Sequence, residues 1–142
     1  MAKKAKNIEF FDHTADVGFI ARATNLQSLF RLAASTMFRI ICPTIAQKNE
    51  LSFTINLAED DLEQLLVNWL SELNILFQTE QFLLAGISEL QISDNNLHAI
   101  VNGERIDPEK HEIELEIKAV TYHQLYVRKL DAHWEARIIF DI

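Results

Sequence analysis

Leu51-Ser52-Phe53-Thr54-Ile55-Asn56-Leu57, followed shortly by Leu62, Leu65, Leu66, Trp69, Leu70, Leu73, Leu76 and Phe77, is the stretch that decides the fold class. In the first segment apolar residues fall at every second position, the period of a half-buried strand. In the second they recur at intervals of three and four, which draws one stripe along a helix over about residues 60–78. A chain that changes period across so short a connection builds both kinds of element against one core. Glu59, Asp60, Asp61 and Glu63 crowd the first helical turn, where acids complement the positive end of the helix dipole.

The same two periods extend outward. Toward the N-terminus, Leu26, Leu29, Phe30, Ala33, Met37, Ile40 and Ile41 lie on one face of a helix spanning residues 26–41. Asn25 is placed to cap it, and Pro43 stops it by disfavouring helical geometry at Cys42. Residues 7–11 and 19–24 read as short strands flanking a polar loop. Toward the C-terminus, strands are expected at Leu83 to Ile92, Leu97 to Ile106, Glu112 to Val120, Gln124 to Leu130 and Trp134 to Ile142. Ser93-Asp94-Asn95-Asn96 supplies a hairpin turn between the first two, and Asp107 before Pro108 caps a short turn. Ile113, Leu115 and Ile117 alternate with Glu112, Glu114 and Glu116, so that run has one buried and one acidic face. The expectation is an α+β fold, a single domain over residues 1–142, with two amphipathic helices packed on a mostly antiparallel β-sheet.

Composition narrows the function classes. A chain of 142 residues with 49% hydrophobic content suits one core. The net charge of −8 argues against a protein that grips nucleic acid through its phosphates unaided. Lys3, Lys4 and Lys6 are the one basic cluster, at an end where solvation is the ordinary reason for charge. The apolar runs are too short and interrupted to span a membrane, and the lysines are not followed by a signal-type apolar run. Cys42 is the only cysteine, so thiolate zinc spacing and an intrachain disulfide are both excluded. A cytoplasmic location is expected.

Chemistry concentrates in residues 10–18, Phe-Phe-Asp-His-Thr-Ala-Asp-Val-Gly, where Asp12, His13, Thr14 and Asp16 stand between apolar segments. Read alone, this is a turn whose polar side chains bond the local backbone. The far end of the chain adds Ile138-Ile139-Phe140-Asp141-Ile142, an apolar strand without a polar tail. A docked end of this kind would fix the α-carboxylate of Ile142 beside Asp141. If the opening loop lies nearby, Asp16 makes a third negative group, and such a cluster is costly unless a cation or a basic partner neutralises it. All-oxygen donors suit a hard ion such as Ca²⁺ or Mg²⁺, or Mn²⁺. A second constellation is Lys118-Ala119-Val120-Thr121-Tyr122-His123, in which Lys118 either acts on a partner or pairs with a neighbouring glutamate for roughly 0–1 kcal/mol. No nucleophile triad, glycine-rich phosphate loop or H-E-x-x-H is present.

Together, Asp-His-Thr-Ala-Asp-Val-Gly (12–18), Lys-Ala-Val-Thr-Tyr-His (118–123) and the terminal Phe-Asp-Ile (140–142) resemble the archease family, and Leu-Leu-Val-Asn-Trp-Leu-Ser-Glu-Leu (65–73) is similar to that family's second helix. The resemblance implies a non-enzymatic cofactor of the RtcB-type RNA ligase, promoting ligase guanylylation and multiple turnover in tRNA splicing or RNA repair. It implies a divalent cation, Ca²⁺ ahead of Mg²⁺ or Mn²⁺, held by Asp16, Asp141 and Ile142. It also implies a partner surface that includes Lys118, His13, Thr14, Tyr122 and His123. Gln124 departs from the pattern, which has a small residue there. An acidic chain fits docking on a basic ligase cleft rather than direct binding of RNA. The competing expectation is a metal-dependent phosphodiesterase with Asp16 and Asp141 on the ion and His13 or His123 as base. A plain interaction domain without an ion is the third.

Overall fold

In the computed structural model, which describes residues 7–13 and 15–142, the elements follow the two periods closely. They are β1 (Ile8–His13), β2 (Asp16–Ala23), α1 (Leu26–Ile41), β3 (Leu51–Ala58), α2 (Leu62–Glu80), β4 (Phe82–Ser93), β5 (Asn96–Arg105), β6 (Ala119–Leu130) and β7 (His133–Asp141). Asn25 caps α1 by accepting a hydrogen bond from the Ser28 N–H at 2.8 Å. Asp61 does the same for α2 through Gln64, so one of the crowded acids is a cap. The helix ends at Gln81, in the left-handed region at φ 54°. At the β4–β5 turn, Asp94 and Asn95 take φ of 51° and 60°, the conformation that a two-residue hairpin of matching twist demands.

The strands are antiparallel as expected, but they form two sheets rather than one: a four-stranded sheet in the order β1-β2-β7-β6 and a three-stranded sheet in the order β3-β5-β4. Each helix touches strands of both sheets, and one apolar cluster runs through all of them. Phe30, Leu66, Trp69 and Leu70 are fully buried, as their mid-stripe positions require. Trp69 also ties the helices together, since its indole N–H donates to the Phe30 carbonyl at 3.0 Å. No helix among the described residues is long and apolar enough to cross a membrane.

Three local expectations change. The segment from Glu112 to Lys118 is not a strand. Its burial alternates as read, with Ile117 fully buried and the glutamates exposed, but before Lys118 its backbone meets the helices rather than a neighbouring strand. The Glu114 N–H donates to the Ile41 carbonyl at 2.8 Å, and the Ile117 carbonyl accepts from the side chains of Asn74 and Gln78. Second, β6 is one strand across residues 119–130, with its register against β7 broken between Thr121 and Tyr126. Third, most of the presumed polar loop is strand: β1 and β2 pair directly from Ile8↔Ala21 to His13↔Asp16.

Candidate functional site: an acidic pair at the end of the four-stranded sheet

Register places the two motif aspartates opposite each other. β2 and β7 pair antiparallel with Asp16↔Asp141, Val17↔Phe140 and Gly18↔Ile139. Phe19, Ile138 and Phe140 are buried in the core, so strand alternation turns Asp16, Gly18, Ile139 and Asp141 to the face away from the helices. Directly opposed residues have Cβ atoms roughly 4.5–5.5 Å apart, and like charges there repel. Among the described residues no basic group lies within ion-pair distance of either aspartate. On the far side of Asp141 the register partner is Ala119, whose methyl adds neither charge nor bulk.

The chain end is held in the same place. The Ile142 N–H donates to the Ala15 carbonyl at 3.1 Å, and its side chain packs half-buried on the core. The Asp141 carbonyl accepts from the Lys118 N–H at 2.8 Å. Asp16, Asp141, Ile142 and the backbone of Lys118 therefore share one end of the sheet, from segments far apart in sequence. Thr14 lies outside the described residues. His13 is the register partner of Asp16, but its side chain also lies outside them.

Lys118 is exposed, and among the described residues no carboxylate comes within 4 Å of its amine, so the pair with Glu112, Glu114 or Glu116 does not form. Tyr122 is 57% exposed and His123 is exposed beside it. Both lie in the register break of β6, where Thr121 Oγ1 donates to the Ile139 carbonyl and accepts from the His123 N–H. Gln124 adopts φ 51°, a left-handed conformation that suits a small residue, so the expectation of a small residue there has a backbone reason and Gln124 meets it under strain.

Sequence reasoning missed the aromatic–cation stack beside the aspartates. The Phe11 ring covers Gly18: a Cβ at Gly18 would lie 2.7 Å from that ring and collide with the Ile138 carbonyl oxygen. The Arg137 guanidinium sits 4.3 Å from the Phe11 ring centre and donates to Gln124 Oε1 at 2.9 Å. One step further, Glu135 accepts from Arg22, Tyr126 and Arg128. Burial pushes its carboxyl up, but those partners outweigh it and hold the group below its ordinary value. Strand alternation could have put Phe11, Gly18 and Arg137 each on a face; only register brings those faces together.

Chemically, the end of the sheet offers two side-chain carboxylates and no soft donor. No group of three His, Cys, Asp or Glu side chains suited to a metal occurs among the described residues, so the pair would need a further oxygen from elsewhere to make a cage. Hard oxygen donors in mutual repulsion fit a hard divalent cation.

The fold and this end of it define a small α+β domain with an acidic tip. The chain matches the Archease protein family (MTH1598/TM1083) over residues 8–142, and it belongs to that family. It is 38% identical to a protein archease of Methanosarcina acetivorans across the whole of both chains. It is 35% identical to one of Sulfolobus acidocaldarius, over 94% of this chain and 97% of the other. The solution structure of Methanobacterium thermoautotrophicum protein 1598 aligns with TM-score 0.75 and 32% identity, covering 97% of this chain and 100% of that one. The crystal structure of an archease from Thermotoga maritima, described as a possible chaperone, aligns with TM-score 0.65 over 100% and 98% of the two chains. At 18% identity, the latter likeness bears on fold alone.

Proposed function

We propose that this chain is a non-enzymatic activator of an RtcB-type RNA ligase and carries a divalent cation at its acidic tip. The observation that supports it most is the register pair Asp16↔Asp141, with Ile142 anchored beside it through the Ala15 carbonyl. Asp16, Asp141 and the α-carboxylate of Ile142 would hold the ion, Ca²⁺ ahead of Mg²⁺ or Mn²⁺. The ion would neutralise the opposed carboxylates and present positive charge at the tip. Lys118, Tyr122 and His123 are exposed around it, and with His13 and Thr14 they form the proposed ligase contact. A net charge of −8 favours encounter with a basic cleft rather than with RNA.

The test is a ligation time course with ligase in substoichiometric amount, with and without this protein, beside calorimetric titration of Ca²⁺ and Mn²⁺. The untagged chain should bind the ion and support repeated turnover. A peptide tag added after Ile142 converts the α-carboxylate into a neutral carbonyl and should sharply weaken both. Equal metal affinity and equal activation by the tagged protein would remove the terminal carboxylate from the site. Release of product from a phosphodiester substrate by this protein alone, with Mn²⁺ or Mg²⁺, would replace the activator reading with the hydrolase one.

A further inference from the structure

Between the outer face of α1 and the free edge of β4 lies an open groove of about 490 Å³ that shares no residue with the acidic tip. Its floor includes the backbone of Leu83 to Ile87, and β4 is the edge strand of the three-stranded sheet. Part of this edge is already covered by α1. Arg31 donates to the Ile87 carbonyl at 2.7 Å and Gln27 reaches the Ile92 carbonyl at 3.4 Å. No described side-chain hydrogen bond from α1 reaches Leu83 to Gly86, and that stretch faces the groove. The register slips at Ala85 and Ser88 bend this edge and limit an added strand to a short run. At Gly86, open space surrounds the position where a side chain would stand.

Charge gives the groove a sign. The chain carries 21 acidic and 13 basic residues, yet the only charged residues lining this groove are Arg31 and Arg39. Both are exposed, and among the described residues neither has a carboxylate within 4 Å. The remaining wall is mostly apolar, with Leu32 and Phe38 on the helix side and Ile45, 57% exposed, on the rim, interrupted by the hydroxyls of Ser28, Ser35 and Thr44.

We infer that this groove docks an extended, acidic segment of a partner protein by adding a short strand to the β4 edge. Backbone groups of Leu83 to Gly86 supply the ladder, the apolar wall takes alternate side chains, and Arg31 and Arg39 take carboxylates on the others. A basic segment would be repelled by both arginines. An amphipathic small anion would use the wall and the charge but leave the strand edge unused.

The full chain, panned against a display library of randomised decapeptides, should select peptides in which Asp or Glu is interleaved with β-branched residues. A synthetic peptide of that consensus should shift the amide resonances of residues 83–87. N-methylation of its alternate residues should weaken it at least tenfold, because that removes ladder hydrogen bonds and keeps the side chains. Arg39→Glu should also weaken it at least tenfold, and Arg39→Gln by less, with unchanged circular dichroism showing that both variants fold. Failure to select any consensus, a consensus without acids, or shifts confined to other strands would overturn the proposal. So would tight binding that ignores N-methylation, or displacement of the peptide by dodecanoate together with such indifference, since either points to an apolar anion pocket.

Discussion

Two places in this molecule gather acidic groups, and the chain treats them in opposite ways. Glu104, on β5, is buried, and its own chain surrounds it with donors: the N–H groups of Gln47 and Lys48 at 2.6 and 2.9 Å and the Lys110 amine at 2.6 Å. His111 accepts from the Asp107 N–H through Nδ1, which leaves Nε2 facing the same carboxylate at 3.3 Å. Burial pushes the Glu104 carboxyl up, yet Lys110 and the two backbone donors hold it at about 2. Asp16 and Asp141 face each other across two strands without a described cation beside them. Glu104 is satisfied from within its own chain, whereas the opposed aspartates have no such partner among the described residues.

That contrast can be broken by substitution, and the largest effect belongs to Glu104. Glu104→Ala strands two backbone donors and should cost roughly 2–4 kcal/mol in urea denaturation, Lys110 being free to return to solvent. The same group predicts acid lability. Its folded value lies below its usual 4.5, so its contribution is complete above that pH and is lost as pH falls from about 4.5 toward 2. A melting profile flat across that window in wild type, or one unchanged by Glu104→Ala, would deny the carboxylate its structural role.

Asp16→Asn should do the reverse. In chelator it relieves a like-charge pair and leaves stability unchanged or higher by about 0–1 kcal/mol. Added Ca²⁺ or Mn²⁺ should raise the melting temperature of wild type by mass action and not that of the variant. Equal metal-induced stabilisation of both would make the pair an accident of register. Lys118→Ala has the smallest expected effect on folding, within about 0.5 kcal/mol for an exposed side chain. Ligation by substoichiometric ligase should nonetheless fall, and near-normal ligation by the folded variant would take Lys118 out of the contact.

Both helices could be read to within two residues because caps and stripes are local: Asn25, Asp61 and Pro43 act on the turns beside them. Periodicity reports which face is buried but not what lies alongside. The run 112–118 has the burial of a strand, yet its backbone meets Ile41, Asn74 and Gln78. For the same reason nothing in the sequence divided seven strands into two sheets. At the tip, Asp16, Asp141, Ile142 and Lys118 could be singled out by residue type and by resemblance, but their meeting depends on β2–β7 register, which is set by the whole core. The Phe11–Arg137 stack is legible only once that register is known.

Glu104 also bears on the order in which the molecule assembles. It reaches Gln47 and Lys48 across 57 and 56 positions of chain, and the segment it catches supplies Thr44, Ile45 and Ala46 to the wall of the groove. The hairpin of β4 and β5 closes over a two-residue turn and can form early, whereas the catch requires β5 already seated and the 107–111 turn in place to bring Lys110. The groove wall is therefore expected to close late in folding and to open early in unfolding. Amide exchange at Gln47 and Lys48 by local opening, with Trp69 still packed, would show its shape to be separable from the core beneath it.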